Sequence, residues 1–184
     1  MKRKTAEKSA LRRTTLNFAH AGGQLWGGPY REYRSVPGIE FDKVFRINMA
    51  LEIRMPAELV VPTKDYGVPL THLFNFALLE AGRRLLRGET VFVGCGYGYG
   101  RTGTLIAALY KLNREVLYLL RRGTFEDWAF YDPVLEARRG YRLEAIETPA
   151  QEAFVRGFDM RRLAQRLAFR ARPSVVFDKR FWGL

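Results

Sequence analysis

The stretch from Thr90 to Thr104, TVFVGCGYGYGRTGT, constrains this chain more than any other. Thr90-Val91-Phe92-Val93 is short, β-branched and aromatic, the composition of a buried strand. Cys95, the only cysteine among 184 residues, comes just after it. Gly96, Gly98 and Gly100 then alternate with Tyr97 and Tyr99, and Arg101 leads into Thr102-Gly103-Thr104 at the start of an apolar helical pattern. A strand therefore runs into a glycine loop, and the loop runs into a helix N-terminus. Glycines let successive backbone N–H groups turn inward around one point. The helix start adds unpaired N–H donors and the positive end of its dipole. An anion suits such a place. A thiolate on Cys95 is stabilised by the same dipoles and by Arg101. Arg101 can also grip a phosphate through two parallel hydrogen bonds. One loop thus supplies a nucleophile and a phosphate cradle. A nucleotide-binding P-loop fits less well, because it needs Gly-Lys-Ser/Thr where this chain has Arg101-Thr102. A glycine turn without chemistry is the plainer alternative.

The stretch resembles the signature loop of the cysteine-based phosphatases, the protein tyrosine and dual-specificity superfamily. That signature is His-Cys, five residues, Arg, then Ser or Thr. Cys95, Gly98, Gly100, Arg101, Thr102 and Gly103 all stand where it asks for them. The residue before the cysteine is Gly94, where the family carries a histidine that helps position the loop and tune the thiolate. The resemblance spans roughly residues 25–158 and is densest from Asp65 to Gly103. It implies Cys95 as nucleophile. It also implies a phosphate-binding loop of Gly96, Tyr97, Gly98, Tyr99, Gly100 and Arg101, with Arg101 binding phosphate and the transition state. Thr102 would place a hydroxyl near the sulfur to stabilise the thiolate, or act as a plain helix cap.

A thiolate attacking a phosphate monoester needs a proton donor for the leaving oxygen and later a base for water. Asp65 stands 30 residues before Cys95, in Pro62-x-x-Asp65-x-Gly67-x-Pro69. Many members of the family carry their general acid in a similar run, so the resemblance implies that Asp65 fills both roles. Taken alone, Asp65 reads as a turn aspartate bonding its own backbone. Gln151, in Glu147-Thr148-x-x-Gln151, looks like the family's later glutamine segment, where a glutamine can position the hydrolytic water. The preferred reading of Gln151 is a capping box with Thr148. His72 reads as a surface or core histidine, and His20 carries no signal.

Around these motifs the chain alternates strands and helices. Short strands are expected at Gln24-Leu25-Trp26, at 44–49 and at Leu59-Val60-Val61, the last ended by Pro62. Apolar residues at Leu73, Phe74, Ala77, Leu78, Ala81 and Leu85 predict a helix ending near Gly88. Leu105, Leu109, Leu112, Val116 and Leu119 predict a second, long one ending at Gly123. Residues 125–141 read as helical pieces. Thr148-Pro149 opens another helix, with Phe154, Val155 and Phe158 inward. Leu163 and Leu167 share a face opposite Arg162, Arg166 and Arg170. The expected fold is α/β, a central, mainly parallel sheet flanked by helices, with basic N- and C-terminal extensions. The expected division is a flexible arm over 1–15, a phosphatase-like domain over 16–158, and a basic C-terminal helix and tail over 159–184.

Charge marks off those ends. Of a net +12, residues 1–13 carry +5 and residues 156–184 carry +6, leaving the middle at +1. Basic ends can attract nucleic acid, acidic proteins or anionic lipid, or simply be solvated. A single cysteine excludes an intramolecular disulfide framework, and with two histidines it makes a Cys/His zinc site implausible. No run of 18 apolar residues predicts a membrane span, and the N-terminus lacks the apolar run of a signal peptide. A cytoplasmic location is the default expectation.

The resemblance implies a phosphoric monoester hydrolase working through a phosphocysteine, without metal or organic cofactor. A phosphorylated protein is the default substrate. Family members acting on inositol lipids often carry lysines inside the loop, where this chain has tyrosine and glycine. An RNA 5′-phosphatase is the runner-up. A catalytically weak pseudophosphatase that binds phosphorylated or nucleic-acid partners is the reading of a different class.

Overall fold

The computed structural model of the chain describes residues 11–38, 40–120 and 131–171. The expectations for residues 1–10, 121–130 and 172–184 lie outside them. Five strands form one sheet: β1 (Arg12–Arg13), β2 (Gln24–Pro29), β3 (Val44–Ala50), β4 (Leu59–Thr63) and β5 (Thr90–Cys95). Their order is β1-β2-β5-β3-β4. Every pairing is parallel except β1 with β2, so the sheet is mainly parallel, as the sequence predicts. Helices α1 (Thr71–Leu86), α2 (Gly100–Leu119), α3 (Pro133–Gly140), α4 (Pro149–Gly157) and α5 (Arg161–Ala171) complete the fold.

Strand β5 lies at the centre, buried along its whole length between β2 and β3. Side chains alternate across a strand. Val91, Val93 and Cys95 therefore enter the main core with residues of all five helices. Phe92 faces the other way, into a smaller cluster with Leu11, Tyr30, Tyr33, Val36 and Val44. The short helical turn Tyr30–Ser35 covers that second face. Cys95 ends β5 at the carboxyl edge of the parallel strands β2, β5 and β3, the edge at which ligands bind in open α/β sheets.

Three boundaries differ from the sequence reading. Residues 11–15, expected at the end of a flexible arm, pack onto the domain, and Arg12–Arg13 join the sheet. Arg12 and Arg13 pair with Gly27 and Trp26, the Thr14 N–H donates to the Leu25 carbonyl at 2.8 Å, and Leu11 is buried. Pro62 lies inside β4 instead of ending it, which an edge strand permits because one side of its backbone needs no partner. Helix α5, expected to lie outside the domain, buries Leu163, Ala164, Leu167 and Ala168 in the main core. Among the described residues no helix is long and apolar enough to cross a membrane.

Candidate active site

The loop from Cys95 to Arg101 joins the centre of the sheet to the most buried helix. The Cys95 thiol is 3% exposed, and its Sγ accepts the Gly98 N–H at 3.3 Å. The carbonyl of the same residue, Gly98, accepts the Tyr141 hydroxyl at 2.7 Å. Burial pushes the Tyr141 phenol up, which keeps it a neutral donor. Gly98 has φ +80°, and a Cβ there would collide with the Gly28 backbone of β2. Only glycine meets both conditions. Tyr97 points out, 74% exposed, whereas Tyr99 stacks beneath the Arg142 guanidinium at 4.6 Å.

Helix α2 starts without a side-chain cap at Tyr99. Its first N–H groups are left for other acceptors. The Gly100 N–H donates to Glu147 Oε2 at 2.8 Å. Thr102 is therefore not the cap. It lies inside the first turn, fully buried, and its hydroxyl has no hydrogen-bond partner among the described residues.

Arg101 is 2% exposed. Its Nη1 and Nη2 donate to Glu52 Oε2 and Oε1 at 2.7 and 2.6 Å, and Nη1 also reaches the Thr63 carbonyl at 3.0 Å. Asp65 Oδ1 stands 3.0 Å from Nη2. Burial works against the Arg101 charge, but the Glu52 hydrogen bonds and the charges of Cys95, Glu52 and Asp65 raise its pKa above the ordinary value. The same pairing holds the Glu52 carboxyl below its usual range. The Nε of Arg101 is buried without a hydrogen-bond partner among the described residues. The structure thus brings Asp65, Cys95 and Arg101 together, and it adds Glu52.

Gln151 is buried beside this loop. Its N–H donates to Thr148 Oγ1 at 3.2 Å, the cap that the sequence predicts. The reciprocal half of the expected capping box is not made, because the Gln151 side chain goes elsewhere: Nε2 donates to the Gly67 carbonyl at 3.1 Å, and Oε1 accepts the Glu147 N–H, not that of Thr148, at 3.0 Å. Thr148 Oγ1 also donates to the Tyr66 carbonyl at 3.3 Å. The turn before α4 therefore ties the Asp65 loop to the Cys95 loop. Ile146, within that turn, is buried with φ +67°, a strained conformation for a β-branched residue. His72 is exposed on α1, and His20 lies in the turn Phe18–His20, away from the Cys95 loop.

Sequence reasoning missed Glu52 and Glu147. Glu52 belongs to no motif; its only signal is its place just past the carboxyl end of β3, next to β5. Glu147 stands in the quoted glutamine segment without a role of its own.

No family model matches the chain. Two uncharacterized proteins of Methanocaldococcus jannaschii are each 30% identical to it, over 105 and 103 residues. The chain spans 61% of the length of one and 55% of the other. Among solved structures, Tk-PTP in its active form superposes with a TM-score of 0.50 and 19% identity, over 89% of this chain and 99% of that one. The Trypanosoma cruzi protein tyrosine phosphatase TcPTP1 gives a TM-score of 0.56 and 18% identity, over 89% of this chain and 77% of its own. At such identities the likeness is one of fold, and it agrees with the signature loop from Cys95 to Gly103. The chain has the fold of the cysteine-based protein tyrosine phosphatases.

Proposed function

We propose that this protein hydrolyses phosphate monoesters through a phosphocysteine on Cys95. The observation that carries the reading is the convergence of Asp65, Cys95 and Arg101 at one glycine loop, with Asp65 Oδ1 3.0 Å from the Arg101 guanidinium. The Cys95 thiolate attacks phosphorus in line with the leaving oxygen. The S–P bond forms as the P–O bond breaks, and Asp65 gives its proton to the departing oxygen. Arg101, through its unpartnered Nε, and the loop N–H groups hold the equatorial oxygens, where charge builds up. Water then attacks the phosphocysteine, Asp65 takes its proton, and Cys95 leaves as thiolate. Thr102, whose hydroxyl is buried and unpartnered, has a donor free for that sulfur. Gln151 sets the Asp65 loop against the Cys95 loop instead of holding water itself. Neither half-reaction calls for a metal or organic cofactor.

The substrate reading is an aryl phosphate of the phosphotyrosine kind. Large apolar side chains stand exposed next to the chemistry: Tyr97 in the loop, Tyr66 and Val68 beside Asp65, and Leu51 beside Glu52. Arg101 is the only cation within the loop itself. Such a rim suits an apolar ring better than a polyphosphate.

Hydrolysis of an aryl phosphate tests the reading, with wild type, Cys95→Ser and Asp65→Asn compared across pH and in EDTA. The expected result is turnover by wild type, none by Cys95→Ser, and a fall of about 100-fold or more for Asp65→Asn. Turnover that survives Cys95→Ser, or an inert wild type, overturns it.

A further inference from the structure

A second concave region lies at the other end of the molecule from Cys95. Helix α1 begins beside the Asp65 loop and runs 16 residues, about 24 Å, to its far end. There two cavities of about 420 and 440 Å³ adjoin. Both are lined by Arg83 of α1 and Arg170 of α5. The first adds Arg87 and the segment Ala19-His20-Ala21; the second adds Gln165, Arg166 and Phe169.

Three observations mark this region as suited to an anionic chain. Arg166 and Arg170 make no ion pair among the described residues, in contrast to Arg83 and Arg87, which meet Glu80 and Glu89. Helix α5 contains no acidic residue, so nothing on it offsets its arginines. Ala19 and His20, on the wall of the first cavity, both hold left-handed backbone, at φ +49° and +60°. Consecutive strain of this kind in non-glycine residues persists where the surrounding structure imposes it, and it gathers at ligand sites.

We propose that this end of the protein binds single-stranded nucleic acid. The two cavities share Arg83 and Arg170, and Phe169, 79% exposed, lines the second. Two recesses about shared cations match base, phosphate, base. A backbone phosphate sits between Arg83 and Arg170, the bases on either side enter the two cavities, and Phe169 offers a ring for stacking. An anionic membrane fits less well, because the apolar face of α5 is already buried in the core and Phe169 is its one exposed large apolar side chain. The site is separate from the reaction at Cys95.

Fluorescence anisotropy with a labelled 12-nucleotide oligouridylate tests this, using the full chain at several salt concentrations. Arg166→Glu/Arg170→Glu, both at exposed positions, is expected to weaken binding at least tenfold and to make the log–log salt dependence shallower by roughly one to two, while the melting curve stays that of wild type. Phe169→Ala is expected to cost about tenfold without changing the salt slope. The proposal is overturned by a wild type that does not bind, by a charge-reversal variant that binds as wild type does, by equal affinity for a duplex with no dependence on Phe169, or by binding to phosphatidylserine vesicles in preference to the oligonucleotide.

Discussion

Tyr30 fills the space that a side chain on Gly94 would need. A Cβ built on Gly94 would lie 2.8 Å from the Tyr30 Cα and 2.9 Å from its Cδ2, with the Phe92 ring equally close. The Tyr30 and Phe92 rings pack with centroids 5.9 Å apart, and the Tyr30 hydroxyl is tied to the Pro56 carbonyl at 2.8 Å. Because one of the opposing atoms is backbone, no rotamer change relieves the contact. The covering of the second face of the sheet leaves no room at this position for the histidine that the signature carries. Restoring it is expected to cost stability rather than add activity. Gly94→Ala should lose about 1–3 kcal/mol in urea unfolding, and Gly94→His more, or fail to fold. A Gly94→His protein as stable as wild type would show that Tyr30 yields easily.

Glu52 holds Arg101 through two hydrogen bonds and also lies near Gly96, so it sets the guanidinium that a phosphate must meet. Glu52→Gln keeps the shape and removes the charge. An aryl phosphate assay should show kcat/KM lower by about 10- to 100-fold, since a charge-assisted pair is replaced by a neutral contact. Unchanged kinetics would mean that the Thr63 carbonyl and Asp65 suffice to position Arg101.

Glu147 occupies the Gly100 N–H, a donor that lies within the proposed phosphate cradle. A bound dianion and this carboxylate repel each other and compete for that hydrogen. Glu147→Ala is therefore expected to tighten inhibition by inorganic phosphate about 3- to 10-fold. A weaker phosphate complex would instead mean that Glu147 orders the loop for its ligand.

Tyr141 donates to the Gly98 carbonyl while the Gly98 N–H donates to the Cys95 sulfur, so one residue links the two side chains. Tyr141→Phe strands a buried carbonyl. Thermal unfolding should report a loss of about 1–3 kcal/mol, together with slower hydrolysis. A variant slowed without loss of stability would locate the effect in loop geometry alone.

Acid should loosen the fold through a set of paired carboxylates. Glu52 and Glu152 are held below the ordinary carboxylate range by hydrogen bonds from Arg101 and Arg156. For Glu58, Glu89 and Asp132 burial pushes upward, but hydrogen bonds from Arg46, from Arg87 and Arg84, and from Arg156 bring them below that range as well. Folded values below unfolded ones mean that this stability is fully present above the unfolded pKa, about 4 to 4.5. It is lost as pH falls through the folded values. Tm should be flat from pH 7 to 5 and fall below about pH 4, less steeply in high salt, because most of these groups are partly exposed. A Tm unchanged at pH 3 would deny these pairs a role.

Much of the site is written locally. The β5 strand, the glycine spacing from Cys95 to Arg101, the turn around Asp65 and the Thr148-Pro149 helix start are legible because each depends on neighbours within a few residues, through side-chain alternation, permitted φ values and capping. The apolar periods of α1 and α2 are legible for the same reason. Tertiary structure alone decided what those pieces meet. Glu52 reaches Arg101 across 49 residues and Glu147 reaches Gly100 across 47, because parallel register sets β3 beside β5 and because Gly103 lets the Ala145-Ile146 backbone close on α2. The same holds for Gly94, whose lack of a side chain answers to Tyr30 on the far face of the sheet, and for α5, whose apolar stripe found its partner in α1 and α2. A residue's local pattern shows which face it will bury. Which group it will face depends on how strands are ordered in the sheet, and that order is settled only when the whole core packs at once.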